Sequence, residues 1–348
     1  MRQRRLLSVR YFIAIALLYT AIGTAQATGL PLEVVMRVPL PGGATRFDYQ
    51  SLDTQRHRLF ISHMGSNQVI VFDTQARKVL ANLDGFPSAT GVTAVPELGR
   101  VYVSVPGALL ERAAGDGEIA VIDAETLKTI KHIRVGRFPD GSSFVPSLNR
   151  LYVSNEMGGT LSVIDTHDER VTDTIQLGGE AGMNAYDPIE ERIWANVQTD
   201  NTLVAIDPKI DRIVTRIKLP ASCEHNHGLL IDAPDRLAFI TCDDNAKLLV
   251  FDLHTLRVTG EHSVGRDPDV LAYDSKAQLL YVASESGVIT LFHLQQGQLS
   301  QLGEDRLGDN AHTVSVDPDS GLAYFPLKND HGKPALLVTH PDILTSSP

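Results

Sequence analysis

Short runs of β-branched and aromatic residues recur along the chain at nearly even spacing, each too short to make a helix. One run reads Arg58-Leu59-Phe60-Ile61-Ser62 and returns as Arg100-Val101-Tyr102-Val103-Ser104, Arg150-Leu151-Tyr152-Val153-Ser154 and Arg192-Ile193-Trp194-Ala195-Asn196. Three further copies fall at 237–241, 280–284 and 322–326. A second strand follows in each unit and ends in Asp73, Asp123, Asp165, Asp207 or Asp252, with His293 and His340 in the last two units. A polar side chain there is expected to hold a β-turn through its amides, and the same turn role is assigned to both histidines. A third strand closes each unit, as in Lys78-Val79-Leu80, and a fourth opens the next, as in Leu229-Leu230-Ile231-Asp232.

The units start at Asp48, Thr90, Asp140, Gly182, His227, Asp269 and His312, with spacings of 42, 50, 42, 45, 42 and 43 residues. Four strands per period, joined by turns rich in Gly, Asn and Asp-Pro, predict an all-β, seven-bladed β-propeller of four-stranded blades. A chain of 348 residues is long for one ordinary core, but stacked repeats escape that limit because each packs only on its neighbours. The seventh unit stops after Ala335-Leu336-Leu337-Val338 without an outer strand, while Leu32–Val38 precedes the first unit and belongs to none. Placing that N-terminal strand on the last blade closes the ring and removes an open sheet edge. The second unit carries a long loop, Val105 to Glu118, on the face where it is able to cover the central mouth.

The chain begins with Arg2, Arg4, Arg5 and Arg10, an apolar run from Tyr11 to Ile22, and Ala25-Gln26-Ala27. That order predicts a signal peptide over 1–27, its apolar run being shorter than the ~20 residues that cross a bilayer. Residues 28–348 are then expected to form a single propeller domain, periplasmic or secreted. Cleavage removes four positive charges and no negative one, so a formal charge of −11 becomes still more negative. Such a chain repels phosphate, which argues against nucleic acid and anionic membranes as partners.

Leu151-Tyr152-Val153-Ser154-Asn155, followed by Leu161-Ser162-Val163-Ile164-Asp165-Thr166, resembles the YVTN-type repeat of bacterial seven-bladed propellers. Cys223-Glu224, Gly228-Leu229, Asp232, Cys242 and Asn245 further resemble exported YncE-like proteins. The resemblance covers essentially the whole mature chain and implies ligand or metal binding at one mouth of the central channel; repeats of this kind serve many roles, so it does not name a reaction.

Candidate chemistry gathers where the innermost strands begin. Five of the seven unit starts are Asp or His, in a chain with 12 His. His227, Asp269 and His312 open three successive blades and are the expected ligands of one divalent transition metal, Zn²⁺ or similar. Asp48, Asp140, His225, Glu156 and Glu285 are the expected further ligand-binding groups on that face. Without an ion, the same residues make a polar, water-filled funnel. Cys223 and Cys242 fall on the same blade and face, and in an exported chain they are expected to pair as a disulfide; thiolate ligation within Cys223-Glu224-His225-Asn226-His227 is the alternative. No Cys-x-x-Cys-His or phosphate-cradling glycine loop occurs, so neither haem nor nucleotide is expected. Three functions stay open: a carrier of a metal or small ligand, a metal-dependent lyase or lactonase-type enzyme using the same site, and a platform for a protein partner.

Overall fold

The structure is a computed structural model that describes residues 29–107 and 115–342. The segment assigned to export, and residues 108–114 of the long loop in the second blade, lie outside the described residues.

Seven four-stranded antiparallel sheets follow one another along the chain. In each of the first six, the strands pair in chain order from innermost to outermost, as in 139–145, 150–155, 160–165 and 170–176 of the third blade. The two middle strands are buried on both faces: Leu59, Phe60 and Ile61 are all fully enclosed. Burial on both sides explains why these strands read as continuous apolar runs, since each sheet is sandwiched between two others. Outer strands alternate instead; Arg212–Lys218 turns every second residue to solvent.

The ring closes as the orphan strand foretold. Leu32–Pro39 pairs antiparallel with Lys333–Pro341, from Leu32 opposite Pro341 to Pro39 opposite Ala335. It becomes the outer strand of a sheet whose other members are 323–330 and 315–316. Tyr324, Leu336 and Val338 of that last blade then pack with Leu59, Ile61 and Phe72 of the first.

The aspartates that end the second strand of the first five units do hold turns. Asp73 Oδ1 accepts the amides of Gln75 and Ala76, and Asp165 Oδ1 those of His167 and Asp168. The two histidines in that place behave differently: no turn amide donates to His293 or His340 among the described residues, and His340 Nδ1 donates to the Pro341 carbonyl at 2.9 Å. A carboxylate has lone pairs to offer two amides at once, whereas an imidazole offers at most one.

Cys223 and Cys242 form a disulfide with Cα atoms 5.3 Å apart, which excludes the thiolate alternative. Both are buried. Such a bond fits a compartment outside the reducing cytoplasm. Among the described residues no helix is long and apolar enough to cross a membrane.

Candidate functional site

One mouth of the ring opens into a cavity of about 360 Å³. Its wall is built from three repeating positions of the blade. The first is the unit start itself, which contributes Asp48, Thr90, Asp140, His227 and Asp269. The second lies two residues earlier and contributes Arg46, Phe138, His225 and Asp267. The third directly follows the strand next to the innermost one, such as Arg58–His63 or Arg150–Asn155, and contributes Met64, Glu156, Gln198, Asp243 and Glu285.

Backbone geometry ties the second and third positions together. Phe138, His225 and Asp267 have φ of 54°, 60° and 53°, left-handed values that non-glycine residues seldom take. That turn directs their carbonyls at the amides of Glu156, Asp243 and Glu285, at 2.8, 3.0 and 2.7 Å. The local strain is thus offset by a hydrogen bond that sets each acidic side chain at the mouth. Glycine matters at the next residue inward: a Cβ at Gly228 would collide with the Asp269 carbonyl oxygen, so the fifth and sixth blades approach closely only without one.

His227 is the best-held group in the cavity. Tyr49 has one phenolic proton and donates it to Asp269 Oδ1 at 3.0 Å, so its oxygen accepts from His227 Nε2 at 2.9 Å. His227 Nδ1 faces Gln198 Oε1 at 3.0 Å. That amide is oriented by its nitrogen, which donates to the Ala181 carbonyl at 3.2 Å and to Glu156 Oε1 at 3.5 Å. Both imidazole nitrogens therefore carry protons, and His227 is an imidazolium. Its pKa agrees: burial lowers it, but Asp243, Asp269 and Asp140 outweigh burial and raise it well above the ordinary value. Burial would also raise Asp269, yet the positive His227 ring, 3.3 Å from Oδ1, and the charge of Arg46 hold that carboxyl below its usual range.

His312 is arranged in the opposite way. It is fully buried, and its Nδ1 donates to the Asn310 carbonyl at 3.3 Å. In the neutral ring Nε2 then carries the lone pair, and it has no hydrogen-bond partner among the described residues. It lies 3.6 Å from Asp269 Oδ2. Asp269, Glu285 and His312 each offer one donor atom, and the three lie within 4.8 Å of one another. Glu285 is held in turn by Arg46 and by Asn310 Nδ2, the latter at 2.8 Å.

The structure thus brings His227, Asp269 and His312 together, with Asp269 between the two rings: His227 Nε2 is 3.3 Å from Oδ1 while His312 faces Oδ2. A doubly protonated imidazole has no lone pair for a metal, so the compact donor set contains Glu285 where the sequence suggested His227. Asp48, Asp140, His225, Glu156 and Glu285 all line the cavity. Sequence reasoning missed Arg46, Tyr49 and Gln198. Tyr49 had a signal, since it occupies the place of Gly91, Gly141 and Gly228 in other blades.

The cavity carries seven carboxylates against Arg46 and two imidazoles. Burial, then the charges of Asp48 and Glu156, pushes the Asp140 carboxyl well above the ordinary range. Burial likewise raises Asp48, Glu156 and Asp243. Tyr49 and Asp269 also line a second cavity of about 390 Å³ deeper in the channel, so together they form a partition between the two.

Fold and site define a seven-bladed propeller with an acidic, imidazole-bearing mouth. No family model matches the chain. Over 110 residues it is 31% identical to the uncharacterized protein YncE of Salmonella typhi, and equally to that of Salmonella typhimurium. The match spans 32% of this chain and 29% of the relative's length, and agrees with the YncE-like resemblance. Hydrazine synthase of Kuenenia stuttgartiensis superposes with a TM-score of 0.70 over 91% of this chain and 97% of that one; at 17% identity the likeness is of fold.

Proposed function

We propose that this protein is an exported metal-binding propeller, a carrier that holds one divalent transition ion, Zn²⁺ in the first instance. Asp269 Oδ2, Glu285 and His312 Nε2 are its ligands, and the fourth position is left to water or a bound ligand. The observation that carries this is the bare, buried Nε2 of His312 facing a carboxylate oxygen at 3.6 Å. With the ring neutral, two lone pairs so placed repel unless a cation lies between them, and the separation is close to the ~3.4 Å edge of a tetrahedron with ~2.1 Å bonds. One imidazole with two carboxylates and no sulfur favours zinc over softer ions. His227 and Tyr49 serve the site indirectly by fixing the other oxygen of Asp269.

The disulfide and the leading cationic–apolar segment support export to the periplasm or beyond. His227 has both nitrogens committed, so in the lyase or lactonase reading it is not the group that takes up a proton. Calorimetric titration of Zn²⁺ into chelator-treated protein tests the proposal. Wild type should bind one ion per chain, His312→Ala should not, and His227→Gln should bind about 10–100-fold more weakly.

A further inference from the structure

On the footing that this cavity is the binding site proposed above, we propose that it also takes a small organic ligand bearing an ammonium group, seated against Asp140 and Glu156. Asp140 is only 5% exposed, yet its side chain lines the cavity and accepts no hydrogen bond from any described residue. Ionising a carboxyl so largely withdrawn from water is costly unless something donates to it.

The cations of the protein do not supply the donor. His227 Nε2 is 3.9 Å from Asp140 Oδ2, and its proton is already directed to Tyr49. Arg46 is paired with Asp48 and Glu285. A second metal ion does not fit either, because Asp140 belongs to no set of three donors within 4.8 Å among the described residues. An ammonium group needs no such set: three N–H donors find two carboxylates and the remaining faces of the cavity. The excess of carboxylates repels anionic ligands. Met64 and Phe138 give the wall apolar surface for a short carbon chain, and about 360 Å³ lies at the small end of ligand pockets.

The probe is n-butylamine, with n-butanol as its neutral isostere, titrated by saturation-transfer NMR into the full mature chain. Both are run on chelator-treated and on Zn²⁺-supplemented protein. Butylamine should bind the chelator-treated wild type and butanol should not. Asp140→Asn and Glu156→Gln, each nearly isosteric, should raise the butylamine Kd at least tenfold. Absence of butylamine binding to wild type in both conditions, equal binding of amine and alcohol, or unchanged affinity in both variants would overturn the proposal. Because the chelator-treated arm needs no ion, a chain that binds butylamine but no Zn²⁺ loses only the metal assignment, and one that binds Zn²⁺ but no amine loses only this one.

Discussion

Tyr49 donates to Asp269 Oδ1 at 3.0 Å across 220 residues of sequence, so the first blade touches the sixth over the channel. The same phenol accepts from His227, which makes it the hinge of a buried charge network. Tyr49→Phe removes both hydrogen bonds and leaves His227 Nε2 only the longer contact with Asp269 Oδ1 at 3.3 Å. Urea unfolding should show a loss of about 1–3 kcal/mol, with the β-sheet circular dichroism of the folded protein unchanged.

The disulfide closes a loop with a sequence separation of 19, and the segment it braces carries His225 and His227. Replacing both cysteines by serine should lower stability by about 3 kcal/mol, the value for a loop of that size. Because both sulfurs are buried, mild reductant should leave the native wild type unaltered. Melting curves with and without reductant, compared with the double variant, check both statements.

Closure by the N-terminal strand has a direct consequence. Without residues 29–40, the strand Lys333–Pro341 becomes an open edge, and unpaired edges invite association. The truncated protein should aggregate or lose its cooperative melting transition, as read by light scattering and calorimetry.

His63 stacks on Phe47 with ring centroids 4.1 Å apart and is fully enclosed. Burial lowers its pKa, more than the backbone contacts with Gly43 and Pro41 raise it. As pH falls through about 6.5 the unfolded chain takes up this proton and the native chain does not, so stability declines below that pH until the lower native value is reached. The melting temperature of His63→Gln should therefore fall less than that of wild type between pH 7.5 and 5.5. An equal or steeper fall in the variant would contradict a depressed native pKa.

The blades were legible because each unit repeats the same local decisions: a both-faces-buried strand such as Leu59–Ile61, a turn held by Asp73, a polar residue at the unit start. The mouth was legible for the same reason, since Asp140, His227 and Asp269 share one register. The division of labour inside it was not. Whether an imidazole binds a metal or holds a neighbour depends on which atoms face its nitrogens, and although Gln198, Tyr49 and Asn310 all occupy repeating positions of the blade, the packing between blades decides which nitrogen each one meets. His293 and His340 show the limit from the other side, for their register matched the turn aspartates while their chemistry did not.

The metal assignment is tested most directly by diffraction at the zinc absorption edge from crystals grown with Zn²⁺. The anomalous difference map should hold a single strong peak at the mouth, bonded to Asp269, Glu285 and His312 Nε2 at about 2.0–2.2 Å, with His227 still hydrogen-bonded to Tyr49. A peak bonded to His227, or crystals soaked in Zn²⁺ with no peak among these residues, would contradict it.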